Sequence, residues 1–211
     1  MTYLYLVRHG ETDWNRARRI QGTTDIELNE IGREQARATG RLLGRRRWDG
    51  VVTSPLSRAA ETARIIAEEL GLPEPRTLDA LVERNYGEAE GLTGDELLTR
   101  FPGDTPVTGR EPRSAVADRA IPALIELAEQ CPERSFIVVS HGGVIRTVLK
   151  AVGPDHGRHH TDAIPNGSVH SLRYSDEVLE LVAFDDPIET ESVSAGLDDF
   201  PEQNSIERRE R

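Results

Sequence analysis

Two histidines of this 211-residue chain stand in the same local setting. His9 follows the apolar run YLYLV in Val7-Arg8-His9-Gly10, and His141 follows SFIVV in Val139-Ser140-His141-Gly142-Gly143. Short, nearly continuous apolar runs belong to parallel strands covered on both faces, and open α/β sheets bind ligands outside the carboxyl ends of such strands. One histidine after a buried strand reads most simply as a structural residue, since imidazoles are often semi-buried. Two in the same context suggest that separate segments deliver imidazoles to one rim, and an unprotonated imidazole is both a nucleophile and a base.

The cations around them point to an anion. Arg8 adjoins the first histidine, and Arg58 falls in the first turn of a helix for which Ser54 is the expected N-cap and Pro55 the expected first helical residue. A cation at a helix start opposes the macrodipole, whereas the free N–H groups there favour anions. An anion between Arg58 and the helix end would reconcile the two. The segment Glu83 to Gly91 (ERNYGEAEG) sets glycines around a dense acidic stretch; on spacing alone it is an exposed loop.

In order along the chain, LVRHGETDWN (6–15), IQGTTDIELNEIGREQA (20–36), SPLSRAAETA (54–63), ERNYGEAEG (83–91) and VSHGGVIR (139–146) make the sequence resemble the histidine phosphatase superfamily, which includes the cofactor-dependent phosphoglycerate mutases. The resemblance covers residues 3 to about 184. It implies that His9 is the phosphate-accepting nucleophile, that Arg8, Arg58 and His141 surround the phosphoryl oxygens, and that Glu83 is the proton donor. Asn15, Gln21, Gly22 and Gly142 match positions lining the phosphate site, and Ser57 lies close by. The chemistry is coherent: two arginines stabilise charge on equatorial oxygens, and a carboxylic acid protonates the leaving alkoxide and then, as carboxylate, activates water. That role needs Glu83 to stay protonated above the ordinary glutamate value of about 4.3.

The wording YGEAEGLT resembles the phosphatase branch of that superfamily. Mutases carry a long basic insertion after this segment, and here only about twenty residues, Leu92 to Glu111, intervene. Hydrolysis of a phosphomonoester is therefore the expected reaction, and a cofactor-dependent phosphoglycerate mutase is the alternative. A Gly-Glu-Ser element of the phosphatase branch is matched imperfectly by Gly109-Arg110-Glu111-Pro112-Arg113-Ser114, which leaves substrate preference open. Arg110 and Arg113 either read a second acidic group or solvate a loop. His156, His159 and His160 with Asp162 superficially offer metal ligands, but an exposed polar loop is the expectation, with no metal and no cofactor. A non-catalytic phosphoryl-binding module is the weakest reading, because every catalytic position is filled.

These residues need a scaffold. Apolar residues at 56, 59, 60, 63, 66, 67 and 70 repeat with a helical period. Similar patterns run from Asn29 to about Arg47, with Ile31, Ala36, Leu42 and Leu43 expected inward, and from Gly142 to Val152. Ala115 to Cys131 reads as helix with a kink, or a restart near Ile121, because Pro122 lies inside it and a mid-helix proline costs about 3 kcal/mol. Strands are expected at Tyr3–Val7, Val51–Thr53, Arg76–Leu78, Ser135–Val139, Ser168–Tyr174 and Val178–Phe184. Alternation of these with helices predicts an α/β fold, a three-layer α/β/α sandwich with a mostly parallel central sheet.

Composition narrows the setting. Formal charge is -11, and the segment from Tyr174 to the end, with twelve acids and three arginines, carries -9 of it. The body is nearly neutral, so acidity says little about the substrate and argues against nucleic acid as partner. After Phe184 the pattern fails, and residues 185–211 read as an acidic, disordered tail behind one domain over 1–184. No apolar run approaches the length of a membrane span, and the first residues reach charge after seven positions, so neither a span nor a secretory signal is expected. A single cysteine, Cys131, expected to be a buried thiol, fits a reducing cytoplasm. The expected partner is a small phosphorylated metabolite, and oligomeric state is not readable from the sequence.

Overall fold

The computed structural model describes residues 1–153 and 164–186. Strand β1 (Thr2–Arg8) leads to a one-turn helix α1 (Asp13–Arg16) and then to α2 (Glu30–Leu43), which Asn29 caps by accepting the Gly32 N–H at 2.9 Å. Next come β2 (Gly50–Thr53), α3 (Ser57–Leu70) and the two-residue β3 (Arg76–Thr77). After the segment bearing Glu83, α4 (Gly94–Arg100) and α5 (Arg113–Gln130) follow, then β4 (Ser135–Ser140), α6 (Gly142–Val152), β5 (Val169–Ser175) and β6 (Val178–Ala183).

The six strands form one sheet in the order β3-β2-β4-β1-β5-β6. Pairings β3·β2, β2·β4 and β4·β1 are parallel, and β1·β5 and β5·β6 are antiparallel. Strand side chains alternate between faces, and both faces are covered. Leu4 and Leu6 of β1 and Val138 of β4 pack with Leu124 and Leu127 of α5 and Ile145 and Val148 of α6. Tyr5 and Val7 of β1, with Ile137 and Val139 of β4, pack on the other face against Leu43 of α2 and Ala59, Ala63 and Ile66 of α3. This is the expected three-layer α/β/α arrangement with a mostly parallel sheet, and the continuous apolar runs of β1 and β4 are the signature of strands buried on both sides.

Several local expectations are corrected. Ser54 and Pro55 do not start α3: its N-cap is Leu56, which makes no side-chain capping bond. Asp25, from a loop far away in sequence, instead accepts the Ser57 N–H at 2.8 Å and the Ser57 hydroxyl at 2.7 Å. Ile31 is 48% exposed rather than inward, whereas Ala36 and Leu43 are buried. Pro122 neither ends nor restarts α5, which runs unbroken from Arg113 to Gln130; Leu124, Leu127 and Val116 on its buried face hold it against the sheet. The Cys131 thiol is half-buried, because it stands where α5 ends. After β6, the Phe184 ring lies 4.7 Å from that of His170, and the Asp186 N–H donates to the Val169 carbonyl at 2.7 Å. The acidic segment from 187 onward and the His156, His159, His160 and Asp162 cluster lie outside the described residues.

Candidate active site

Parallel register places the two histidines side by side. Arg8 pairs with Ser140 at the carboxyl ends of β1 and β4, and the His9 N–H donates to the Ser140 carbonyl at 3.0 Å. The imidazoles of His9 and His141 then lie with ring centroids 5.1 Å apart, both buried. His9 is gripped from several sides. Its Nδ1 is 2.7 Å from the Gly10 carbonyl oxygen, which can only accept, so Nδ1 carries the hydrogen and Nε2 keeps its lone pair. The Gly10 N–H donates to Thr62 Oγ1 at 3.1 Å, and Asn166 Nδ2 donates to the His9 carbonyl at 2.8 Å.

Burial pushes the His9 pKa well below the ordinary imidazole value, and the positive charges of Arg58 and Arg8 add to that effect. His141 is lowered in the same way, by burial first and then by Arg58, His9 and Arg8. Both rings are therefore neutral at physiological pH.

Arg58 is fully buried in the first turn of α3 and aims back across the site. Its guanidinium donates through Nη1 to the Thr24 carbonyl at 3.0 Å and through Nη2 to the Gly22 carbonyl at 2.8 Å. Its Nε is buried without a hydrogen-bond partner among the described residues, as are His141 Nδ1 and both polar atoms of the Gln21 amide. A cluster of buried polar atoms in this condition is unusual away from functional sites. Arg8 is also buried and donates from Nη1 to the Ile164 carbonyl at 2.5 Å.

Glu83 completes the group. Its Oε1 accepts the Arg84 N–H at 2.7 Å and the Val144 N–H at 3.2 Å, and its Oε2 accepts the Gly143 N–H at 3.0 Å. Burial raises its pKa above the ordinary glutamate value, even though the backbone donors and the two arginines favour the charged form. Thus a carboxyl held at the N-terminus of α6 retains its proton to higher pH than a solvated one, beside two cations and two neutral imidazoles.

Other expected residues occupy supporting places. Asn15 forms a reciprocal capping box with Thr12 at α1, and its Oδ1 lies 3.5 Å from Asn166 Nδ2, one side chain away from His9. Gly22 lends its carbonyl to Arg58, and a Cβ there would run into the Glu90 carboxylate. Gly142 opens α6, where a Cβ would stand 3.5 Å from the Arg8 guanidinium. Ser57 is engaged by Asp25, as described above. Glu111 receives two bonds from Arg119, at 2.9 and 3.1 Å, and accepts the Asn85 N–H at 3.1 Å, so it ties α5 to the segment that bears Glu83. Arg110 and Arg113 are half-buried rather than splayed into solvent, with Arg110 packed 6.0 Å from the Tyr86 ring centre.

Some positioning residues were not foreseen. Glu90 accepts the Thr23 and Thr24 N–H groups, each at 2.9 Å, and the Tyr86 N–H at 3.1 Å, and so anchors the loop whose carbonyls hold Arg58. Arg119 reaches the carbonyls of Ala80 at 2.6 Å and Glu83 at 3.3 Å. Thr62 lies four residues after Arg58, one helical turn along and within the same SPLSRAAETA segment, and these are the sequence signals that link it to the site. Among the described residues no group of three His, Cys, Asp or Glu side chains is placed to hold a metal, and no helix is long and apolar enough to cross a membrane.

Two buried histidines, two buried arginines and a buried carboxyl of raised pKa thus meet beyond the carboxyl ends of the parallel strands. Residues 4–187 match the family described as the histidine phosphatase superfamily, branch 1, and the chain belongs to that family. It is 37% identical over 177 residues to an uncharacterized phosphatase, PhoE, of Bacillus subtilis, covering 84% of this chain and 91% of that one. It is 36% identical over 166 residues to a glucosyl-3-phosphoglycerate phosphatase of Mycobacterium tuberculosis, covering 71% of this chain and 74% of that one. A 2,3-bisphosphoglycerate-dependent phosphoglycerate mutase of Gloeobacter violaceus is 35% identical over 163 residues, with 71% and 74% covered. Among solved structures, the mycobacterial glucosyl-3-phosphoglycerate phosphatase in complex with VO3 superposes with a TM-score of 0.77 at 32% identity, covering 87% of this chain and 98% of that one.

Proposed function

We propose that the chain is a phosphomonoester hydrolase that works through a phosphohistidine on His9. His9 Nε2 attacks phosphorus with its lone pair as the ester P–O bond breaks. The protonated Glu83 gives its proton to the departing alkoxide. Glu83, now a carboxylate, takes a proton from water whose oxygen attacks the phosphohistidine. The N–P bond then breaks, which releases inorganic phosphate and restores both the imidazole lone pair and the carboxylic acid. Arg8, Arg58 and His141 carry the charge on the phosphoryl oxygens.

The observation that supports this reading most directly is the geometry of one buried cluster, in which the Gly10 carbonyl holds His9 Nδ1 at 2.7 Å, the His9 and His141 ring centres lie 5.1 Å apart and backbone N–H groups of α6 hold the Glu83 carboxyl; burial displaces the His9 pKa downward and the Glu83 pKa upward. Each displacement favours the form the cycle consumes, a base with a free lone pair and an acid with a proton. The arrangement asks for no metal or organic cofactor at any step.

The substrate is a small phosphorylated metabolite. A metal-independent phosphoserine phosphatase of Arabidopsis thaliana and the glucosyl-3-phosphoglycerate phosphatases among the relatives make phosphate esters of small carboxylic acids the first compounds to test. The deciding experiment is rapid acid-free quenching with a 32P-labelled substrate. An acid-labile phosphoenzyme is expected in the wild type and not in His9→Ala, with turnover unaffected by EDTA. An acid-stable phosphoester, or activity lost to EDTA and restored by metal, would overturn the mechanism. With 3-phosphoglycerate the expected product is inorganic phosphate; formation of 2-phosphoglycerate would make the chain a mutase.

A further inference from the structure

Ser54, which does not cap α3, has a different occupation. It follows β2 directly, is fully buried, and is fixed by its own N–H to the Val139 carbonyl at 3.0 Å. Its Oγ accepts the Leu56 N–H at 3.3 Å and lies 2.7 Å from His141 Nε2. The other ring nitrogen of His141, Nδ1, is buried and has no partner among the described residues.

The hydrogen between Ser54 and His141 can sit on either side. If Nε2 carried it, Ser54 Oγ would accept two hydrogen bonds while its own buried O–H found no acceptor, which wastes a desolvated donor. Nδ1 would then present a lone pair to an anionic ligand, which is repulsive. If the serine donates, Nε2 accepts, every polar atom of Ser54 is satisfied, and Nδ1 carries a hydrogen ready for an anion. Both conflicts disappear together.

We propose that Ser54 is a positioning residue: its hydroxyl donates to His141 Nε2, locks the ring as the neutral Nδ1–H tautomer, and thereby offers a phosphoryl oxygen a donor from Nδ1. The role in phosphoryl binding rests on the function proposed above; the tautomer does not. Burial and the neighbouring arginines, which keep the ring neutral, act in the same direction.

Long-range 1H–15N correlation of the full-length protein labelled with 15N-histidine reads the tautomer directly, with His141 identified from the spectrum of His141→Asn. The expected wild-type pattern is a neutral ring with the hydrogen on Nδ1. In Ser54→Ala the resonances should move toward the Nε2–H pattern, orthovanadate affinity and kcat/KM should each fall about tenfold to a hundredfold, and Tm should change little; Ser54→Thr, which keeps the hydroxyl, should restore the wild-type pattern. An Nε2–H ring in the wild type, or an unchanged ring and unchanged vanadate affinity in Ser54→Ala, overturns the proposal without reference to activity. An Nδ1–H ring in a protein that hydrolyses no phosphomonoester would instead overturn the proposed function and leave the tautomer lock standing.

Discussion

His9 and His141 begin as equivalents: each ends a buried parallel strand, each precedes glycine, and each is a neutral buried imidazole. They differ in where they are held. His9 is held at Nδ1 by a backbone carbonyl and keeps Nε2 for the site, whereas His141 is held at Nε2 by a serine hydroxyl and leaves Nδ1 without a partner among the described residues. In the mechanism proposed above, one tautomer, gripped at opposite nitrogens, serves as a nucleophile in one case and as a hydrogen-bond donor in the other. The chemistry of a histidine is thus decided by the atom opposite it, a distinction that residue type alone does not carry.

The strongest way to break this contrast is to remove each ring. In the proposed mechanism His9→Ala takes away the one protein atom that forms a bond to phosphorus, and kcat should fall by about 10^4-fold or more, as for other enzymes deprived of their nucleophile. His141→Asn removes one donor to the transition state and should cost about 10^2- to 10^3-fold, with the phosphoenzyme still trappable. Equal losses in steady-state assays, or a phosphoenzyme that persists in His9→Ala, would erase the distinction between the two rings.

Glu83 sharpens the contrast through pH. The His9 lone pair is lost only as pH falls through a value well below 6.5, and the Glu83 proton is lost as pH rises through a value above 4.5. In the proposed mechanism the acid limb of a kcat/KM profile therefore belongs to His9 and the alkaline limb to Glu83. Glu83→Gln should lower kcat by about 10^2- to 10^4-fold on alkyl phosphates. It should abolish the alkaline limb and spare p-nitrophenyl phosphate more, because nitrophenolate leaves without a proton. A profile that keeps its alkaline limb in the variant would transfer the role to another group.

Much of this arrangement was legible in the sequence because it is written in contiguous pieces. The runs YLYLV and SFIVV announce buried strands, and the ends of those strands carry His9 and His141. The fold class and the grouping of Arg8, His9, Arg58, Glu83 and His141 follow from such segments and from the resemblance they carry. What escaped was made by side chains meeting across loops. Ser54 looked like a cap because Ser-Pro before a helical period usually is one. Its hydroxyl turns instead toward His141, 87 positions away, and Asp25 supplies the bond that the helix start lacks. Glu90 and Arg119 act on backbone groups of distant loops, where no periodicity records the pairing. Helix α5 does not restart at its proline, because a propensity penalty of about 3 kcal/mol is smaller than what the packed face of a long helix can supply.

The mildest expected effect, and the closest control, comes from two neighbouring glycines at the start of α6. A Cβ on Gly143 would stand 2.6 Å from Glu83 Oε1 and 3.0 Å from the Tyr86 hydroxyl, so Gly143→Ala must push the carboxyl away from the backbone donors that aim it. The loss should appear mainly in kcat on poor leaving groups, about ten- to a hundredfold, as a smaller copy of Glu83→Gln. A Cβ on Gly142 would meet nothing nearer than the Arg8 Nε at 3.5 Å, an ordinary contact. Gly142→Ala should therefore leave Tm unchanged or slightly raised, since alanine is the better helix former by about 1 kcal/mol, and shift kcat/KM by less than about tenfold. The two substitutions add the same methyl group one residue apart, so any difference between them measures how closely the Glu83 carboxyl is held. If both behaved alike, the position of the acid would not be what limits the reaction.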